Sequence, residues 1–158
     1  RQMCIRDRHC DVFYIGGTKV GAMIGEAVVF TGMKAPKYFF TIVKRHGALL
    51  AKGRMLGIQF DTLFTDKLYF KVSQHAINMA VRICDIFKKH GIAIAYDSPT
   101  NQQFVVLPKK LYEALSQKVA FEIWERKSDE EIVCRFVTSW ATKEEELDEL
   151  DRILTTLC

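Results

Sequence analysis

A short apolar strand runs directly into a glycine-rich loop in the segment Tyr14-Ile15-Gly16-Gly17-Thr18-Lys19-Val20-Gly21-Ala22. The apolar residues that precede the loop predict a buried strand. Glycines on both sides of Lys19 allow the backbone to turn sharply and to approach a bulky ligand closely. The segment therefore presents a lysine amine at the mouth of a strand, and the rest of the fold is predicted outward from this point.

Lys19 is a candidate for the covalent attachment of an aldehyde cofactor. Lysine amines hold pyridoxal 5′-phosphate through a Schiff base, and a dry, partly enclosed position favours the neutral amine that attacks the aldehyde. The hydroxyl of Thr18 would hydrogen-bond the cofactor phosphate. The same pattern is also typical of a solvated lysine beside a turn, so the loop alone leaves both interpretations open.

The pattern of the chain changes near Gly91. Before it, two predicted strands stand too close together for a parallel crossover, so they should pair antiparallel. The last predicted helix begins at Thr142, with Glu145 completing a capping box. Strands are predicted at residues 12–15, 26–30, 92–95, 103–107, 119–124 and 132–137, and helices at 36–50, 55–64, 68–90, 108–117 and from 142 onward.

Arg135 is a second candidate site residue, because it interrupts the alternating strand at residues 132–137. A permanent charge in a strand needs a partner or solvent. Its planar guanidinium matches a carboxylate with two parallel hydrogen bonds. That carboxylate belongs either to a bound amino acid or to a neighbouring strand, where Glu122 and Glu125 are available.

Three separated motifs, in this order, resemble the second half of threonine-aldolase-like enzymes. They are Gly-Gly-Thr-Lys at residues 16–19, Ala-Lys-Gly-Arg at 51–54 and Arg-Phe-Val-Thr-Ser-Trp at 135–140, with Asp11 eight residues before the lysine. Threonine-aldolase-like enzymes belong to the fold-type-I superfamily of pyridoxal-phosphate enzymes. The resemblance runs from about Asp11 to the C-terminus.

The resemblance implies a role for each candidate residue. It implies that Lys19 holds pyridoxal 5′-phosphate and that Thr18 contacts the cofactor. It also implies that Lys52 and Arg54 reach the cofactor phosphate, in a neighbouring subunit, whereas the residues alone are equally consistent with an exposed pair at a helix start. In the superfamily an arginine at the position of Arg135 binds the substrate α-carboxylate.

The fold class that the resemblance implies is α/β, as a C-terminal fragment of the fold-type-I transferase fold. Residues 10–90 would be the end of the large-domain sheet, with the cofactor lysine and connecting helices. Residues 91–158 would be the small α+β domain. Residues 1–9 show no periodicity and are predicted to be non-native or disordered.

The implied function is a pyridoxal-phosphate-dependent lyase that cleaves β-hydroxy-α-amino acids to glycine and an aldehyde. The acid beside the pyridine nitrogen, the ring-stacking group and the hydroxyl base come from upstream sequence in the family, so this chain alone should have little or no activity. An aminotransferase, a β- or γ-eliminating lyase and a non-enzymatic α+β interaction domain remain open alternatives. The family builds its sites across subunits, which implies a homodimer or homotetramer.

Composition bears on nucleic-acid binding, metal binding, cellular compartment and membrane insertion. The chain has 158 residues, of which 49% are hydrophobic, and a formal net charge of +4. Part of that charge lies in the first eight residues, so charge gives little support for a nucleic-acid partner. Five cysteines without metal-ligand spacing predict no metal and a reducing, cytoplasmic setting. No apolar run approaches the roughly 20 residues of a membrane span.

Overall fold

The computed structural model describes residues 8–32 and 35–158. These residues form two compact units, one ending at Tyr69 and the other running from Phe70 to Cys158. The prediction for residues 1–9 falls mostly on residues 1–7, which lie outside the described part of the chain.

The first unit contains a two-stranded antiparallel sheet made of β1 (Val12–Gly16) and β2 (Glu26–Phe30). Tyr14 lies opposite Val28, and Gly16 lies opposite Glu26. The antiparallel pairing predicted from the short spacing between the strands is therefore confirmed. The lysine loop is the connection between these two strands.

Two helices follow in the first unit, α1 (Phe39–Arg45) and α2 (Arg54–Phe64). Helix α1 is shorter than the predicted range of 36–50. Tyr38, at φ 65°, precedes it and Gly47, at φ 72°, follows it. Left-handed backbone at both ends interrupts the right-handed helix and limits its length.

The second unit is a four-stranded antiparallel sheet with helices packed against one face. The long helix α3 (Leu68–Lys89) leads into it, and Gly91, at φ 71°, follows the helix end as predicted. The strands are β3 (Ala93–Tyr96), β4 (Gln102–Pro108), β5 (Glu122–Arg126) and β6 (Glu131–Val137), in the spatial order β3-β4-β6-β5, and the remaining helices are α4 (Lys109–Leu115) and α5 (Glu144–Leu157).

One hydrophobic core joins the helices of the second unit to the inner face of its sheet. Phe87 of α3 is fully buried, and its ring centroid lies 4.8 Å from that of Phe136 in β6. Leu107 of β4 and Leu154 of α5 are fully buried in the same cluster. Because α3 supplies residues to this core, the helix packs with the second unit from Phe70 onward. The domain boundary predicted from the sequence, between residues 90 and 91, stays a prediction.

Two of the element boundaries that differ from the prediction have a local cause. The strand expected at residues 119–124 is β5, which begins at Glu122, because Val119 still donates its amide to the carbonyl of Leu115 in the turn after α4. The cap expected at Thr142 lies one residue later, and only its glutamate half is formed. There the backbone N–H of Lys143 donates to the carboxylate of Glu146 at 2.9 Å.

Thr142 serves a different purpose from the one predicted. Its hydroxyl accepts a hydrogen bond from the backbone N–H of Ser139 at 2.9 Å, and its carbonyl lies 2.8 Å from Nε2 of His75. The residue therefore stabilises the turn before α5 and connects it to α3.

Candidate functional site

The lysine loop is a single turn of 3₁₀ helix, Thr18–Val20, directly after β1. The carbonyl of Gly17 accepts hydrogen bonds from the backbone N–H groups of Val20 at 3.0 Å and Ala22 at 2.9 Å. Gly21, at φ 99°, closes the turn in a conformation that favours glycine. The turn is therefore held by its own backbone, and its side chains are left available for other contacts.

Gly17 is required by packing as well as by the turn. A Cβ atom at this position would lie 2.6 Å from the Cβ of Ala22 and 3.1 Å from Cζ of Phe60. Real Cβ atoms do not approach one another so closely, because the repulsion would be prohibitive. The absence of a side chain at Gly17 thus allows the lysine turn to pack closely against α2.

Lys19 and Thr18 both lie exposed on this turn. Among residues 8–32 and 35–158, the Lys19 amine forms no ion pair and no hydrogen bond with another side chain. The partly enclosed position expected for Lys19 is not found, because the turn projects it away from the buried residues Gly17 and Val20. An exposed amine without a carboxylate neighbour is accessible to an aldehyde.

Helix α2 is tied to the lysine loop by side-chain contacts. Gln59 accepts a hydrogen bond from the backbone N–H of Met23 at 2.6 Å and donates one to the carbonyl of Ile24 at 3.4 Å. Lys52 and Arg54 are exposed at the N-terminal end of the same helix, and no direct contact joins them to Lys19. Arg54 thus begins the helix that packs on the lysine turn, and Lys52 lies two residues before it.

Arg135 lies on β6 in the second unit, on the face of the sheet opposite the core. Its neighbours in the strand, Cys134 and Phe136, are buried. The side chain of Arg135 is 27% exposed, and its Nη2 donates to the carboxylate of Glu122. Nη1 donates to Oε1 of Gln102 at 3.2 Å. The structure therefore shows the pairing with Glu122 that the sequence left open.

One donor of Arg135 has no partner. Its Nε is buried and makes no hydrogen bond among the described residues. A buried donor without an acceptor is costly, and proteins rarely retain one unless a ligand or water completes it. The guanidinium therefore has unused capacity to bind an oxygen atom.

An aromatic wall lies beside Arg135, formed by Tyr96, Phe104 and Trp124. The Trp124 ring centroid is 5.4 Å from Cζ of Arg135, and the ring meets Phe104 edge-on at 5.1 Å. The Tyr96 ring also meets Phe104 edge-on, with the ring centroids 5.6 Å apart. The hydroxyl of Tyr96 donates to Glu125 at 2.6 Å, and this hydrogen bond is the main reason why the pKa of Tyr96 is raised.

Sequence patterns alone do not identify Gln102 and Trp124 as partners of Arg135. Both lie on strands adjacent to β6, so their proximity to Arg135 depends on strand register. The only signal in the sequence is the alternation in Glu122-Ile123-Trp124, which puts Glu122 and Trp124 on one face of a strand. The sequence does not show that this strand pairs with β6.

Two other features, a membrane-spanning helix and a metal-binding cluster, are not found within the described ranges. None of the helices there is both long and apolar enough to span a membrane. The described histidines, cysteines and acidic residues form no group of three that would hold a metal ion.

Comparison with known proteins finds similarity to threonine aldolases. No protein-family model matches the chain. It is 28% identical over 142 residues to the low specificity L-threonine aldolase of Pseudomonas sp. (strain NCIMB 10558), and 28% identical over 144 residues to that of Pseudomonas aeruginosa. These alignments cover 89% and 90% of this chain but 40% of each relative, so the chain spans less than half the length of these relatives.

A solved structure agrees with the sequence relatives. The threonine aldolase of Leishmania major matches with a TM-score of 0.90 and 35% sequence identity, over 96% of this chain and 44% of that chain. The fold is therefore that of part of a fold-type-I pyridoxal-phosphate enzyme. In sequence and in fold this chain is similar to part of these threonine aldolases, as its three motifs predict.

Proposed function

We propose that the complete polypeptide containing these residues is a pyridoxal-phosphate-dependent carbon–carbon lyase. It would cleave β-hydroxy-α-amino acids such as threonine to glycine and an aldehyde. The observation that carries this proposal is the glycine-flanked turn, which leaves the Lys19 amine exposed and unpaired in a chain similar to threonine aldolases. Because the chain spans 40% of the length of its curated relatives, residues 1–158 alone are expected to have little or no activity.

The residues of the first unit fit pyridoxal 5′-phosphate. When bound, this cofactor supplies an electron sink for the pair released at the substrate α-carbon. Lys19 would hold the cofactor until the substrate amine displaces it, and the freed amine would then move a proton at the α-carbon. Thr18 offers a hydroxyl, and Lys52 and Arg54 offer exposed cations, which suit a phosphate.

Arg135 would bind the α-carboxylate of the amino acid. Its guanidinium is held by Gln102 and by the ring of Trp124, which reduces the side-chain freedom that binding would otherwise remove. The buried, unpaired Nε supports the assignment because a carboxylate oxygen would satisfy it. The role of Arg135 is to orient the substrate, and it takes part in no proton transfer.

The complete protein would be a cytoplasmic homodimer or homotetramer. In the segment that ends at Tyr69, many large apolar side chains are exposed, including Tyr14, Val28, Phe40 and Met55. Exposed apolar surface of this kind is typical of a face that packs against further protein. Four of the five cysteines are described, and all four are free thiols, which supports the proposal of a reducing compartment.

Cofactor trapping tests the proposal directly. The complete polypeptide, incubated with pyridoxal 5′-phosphate, should become coloured and lose that colour on borohydride reduction. Mass spectrometry should then locate a pyridoxyl group on the peptide that contains Lys19. The Lys19→Ala variant should trap no adduct there, whereas Lys44→Ala, which removes another exposed lysine of the same unit, should behave as the wild type.

Product analysis separates the reaction types. Incubation with threonine should give acetaldehyde and glycine in equal amounts. A keto acid as the main product would replace the lyase assignment with transamination or elimination. A colourless protein without an adduct on Lys19 would overturn the cofactor assignment itself.

A further inference from the structure

The guanidinium of Arg135 already has a carboxylate partner in this structure. Glu122 and Arg135 stand directly opposite each other in the pairing of β5 with β6, and their side chains form an ion pair. Opposite charges on facing residues of adjacent strands attract each other, so the strand register itself supplies this contact. Any other carboxylate that binds Arg135 must compete with Glu122.

The Glu122 contact uses only part of the available geometry. Nη2 donates to Glu122, while Nε, on the same edge of the guanidinium, is buried and has no acceptor. A carboxylate placed on that edge would accept from both nitrogens, in the bidentate arrangement that arginine favours. A bidentate ligand would therefore gain a hydrogen bond that Glu122 does not make.

The two partners differ in their freedom to move. The Glu122 side chain is 67% exposed, whereas that of Arg135 is 27% exposed and is also held by Gln102 and Trp124. Displacing Glu122 moves a carboxylate into water at little cost, while the guanidinium stays in place. Exposed ion pairs of this kind are weak, so the competition is modest.

We propose that Glu122 is a built-in competitor, which occupies Arg135 in the absence of ligand and yields the Nε–Nη2 edge to a substrate carboxylate. This inference rests on the proposed carboxylate-binding role of Arg135. Its consequence is that Glu122 weakens substrate binding, so that its removal strengthens binding. A residue with a purely structural role would have the opposite effect or none.

Tryptophan fluorescence can measure this competition. The chain contains two tryptophans, so in a Trp140→Phe background the emission reports on Trp124, whose ring contacts Arg135. The probe is acetate, titrated at constant ionic strength against chloride. In this background, Glu122→Gln should lower the apparent dissociation constant for acetate by about two- to fivefold, which is the effect of removing an exposed ion pair.

Two variants serve as controls. Glu125→Gln removes another acid of the same strand, one that accepts a hydrogen bond from Tyr96 and does not contact Arg135. The dissociation constant of this variant for acetate should therefore equal that of the parent. Arg135→Lys should abolish the saturable response, because an ammonium lacks the two-nitrogen edge. Circular dichroism checks that each variant keeps its secondary structure.

The outcomes distinguish the two proposals. If the response depends on Arg135 but is unchanged or weakened in Glu122→Gln, the competitor role is wrong and the carboxylate-binding role stands. If acetate gives no saturable response with the parent or with Glu122→Gln, both roles fall. The lyase assignment is tested separately by trapping on Lys19.

Discussion

Replacing Gly17 by alanine should loosen the lysine turn, because the structure leaves no room for a methyl group there. The added Cβ would lie 2.6 Å from the Cβ of Ala22 and 3.1 Å from Cζ of Phe60. The backbone at Gly17 has a negative φ of −117°, which does not by itself require glycine, so the clash is the dominant effect. Forcing a methyl group into a packed site costs about 1–3 kcal/mol.

Amide hydrogen exchange measures this cost at the turn. The N–H groups of Val20 and Ala22 both donate to the carbonyl of Gly17. If the free energy of opening the turn falls by about 1–3 kcal/mol, hydrogen exchange at these two amides should become about five to 150 times faster, provided that exchange occurs through local opening. Because the turn carries Lys19, the yield of the pyridoxyl adduct at Lys19 should fall in the same variant.

Gly16→Ala is the matched control for Gly17→Ala. A Cβ at Gly16 would meet only Oε1 of Glu26, at 3.9 Å, which is an ordinary contact distance. Exchange at the turn should therefore stay within about twofold of the wild type, because surface substitutions are usually nearly neutral. Adding Ala22→Gly to Gly17→Ala should restore part of the protection by removing the closest contact. Equal effects of the two single substitutions would refute the packing argument.

Two further predictions concern titratable groups of the second unit. Hydrogen bonds from Lys89, and to a lesser extent from His90, hold the pKa of Asp151 below its ordinary value of 3.8. The stability that Asp151 adds to the folded state is therefore fully present above pH 3.8 and is lost as the pH falls through the folded-state pKa. The difference in Tm between wild type and Asp151→Asn should shrink over that range, and a constant difference would contradict the linkage. Burial raises the pKa of Cys134 to about 11, so a thiol reagent at mildly alkaline pH should label exposed Cys158 well before Cys134, and equal labelling rates would refute this.

Local sequence patterns predicted helix ends and strand pairing correctly where one glycine, or the length of one connection, limits the possible backbone conformations. Gly91 follows α3 with positive φ, and the short connection between β1 and β2 leaves antiparallel pairing as the available arrangement. The prediction was wrong at residues 119–121, where Val119 and Phe121 are apolar because they pack against the core just before the strand begins. Apolar character alone does not separate a strand from a loop that covers a core.

The start of α5 shows a second limit of local patterns. Thr142 with Glu145 and Lys143 with Glu146 have the same spacing, and threonine is the better capping residue by propensity. The structure uses the second pair because the Thr142 hydroxyl is already engaged by the N–H of Ser139. A contact outside the helix decided the choice, and the helix sequence does not contain that information.

The position of Arg135 shows which part of a site a sequence can specify. Ile132, Cys134 and Phe136 are buried in the core, so a shift of β6 by one residue would bury the guanidinium there and move all three to the opposite face of the sheet. The apolar alternation therefore determines which face carries the arginine, and the sequence alone predicts it. The partner Glu122 depends on which strand lies beside β6 and in which register. That pairing arises when the whole sheet assembles, so the competition for Arg135 becomes visible only in the folded chain.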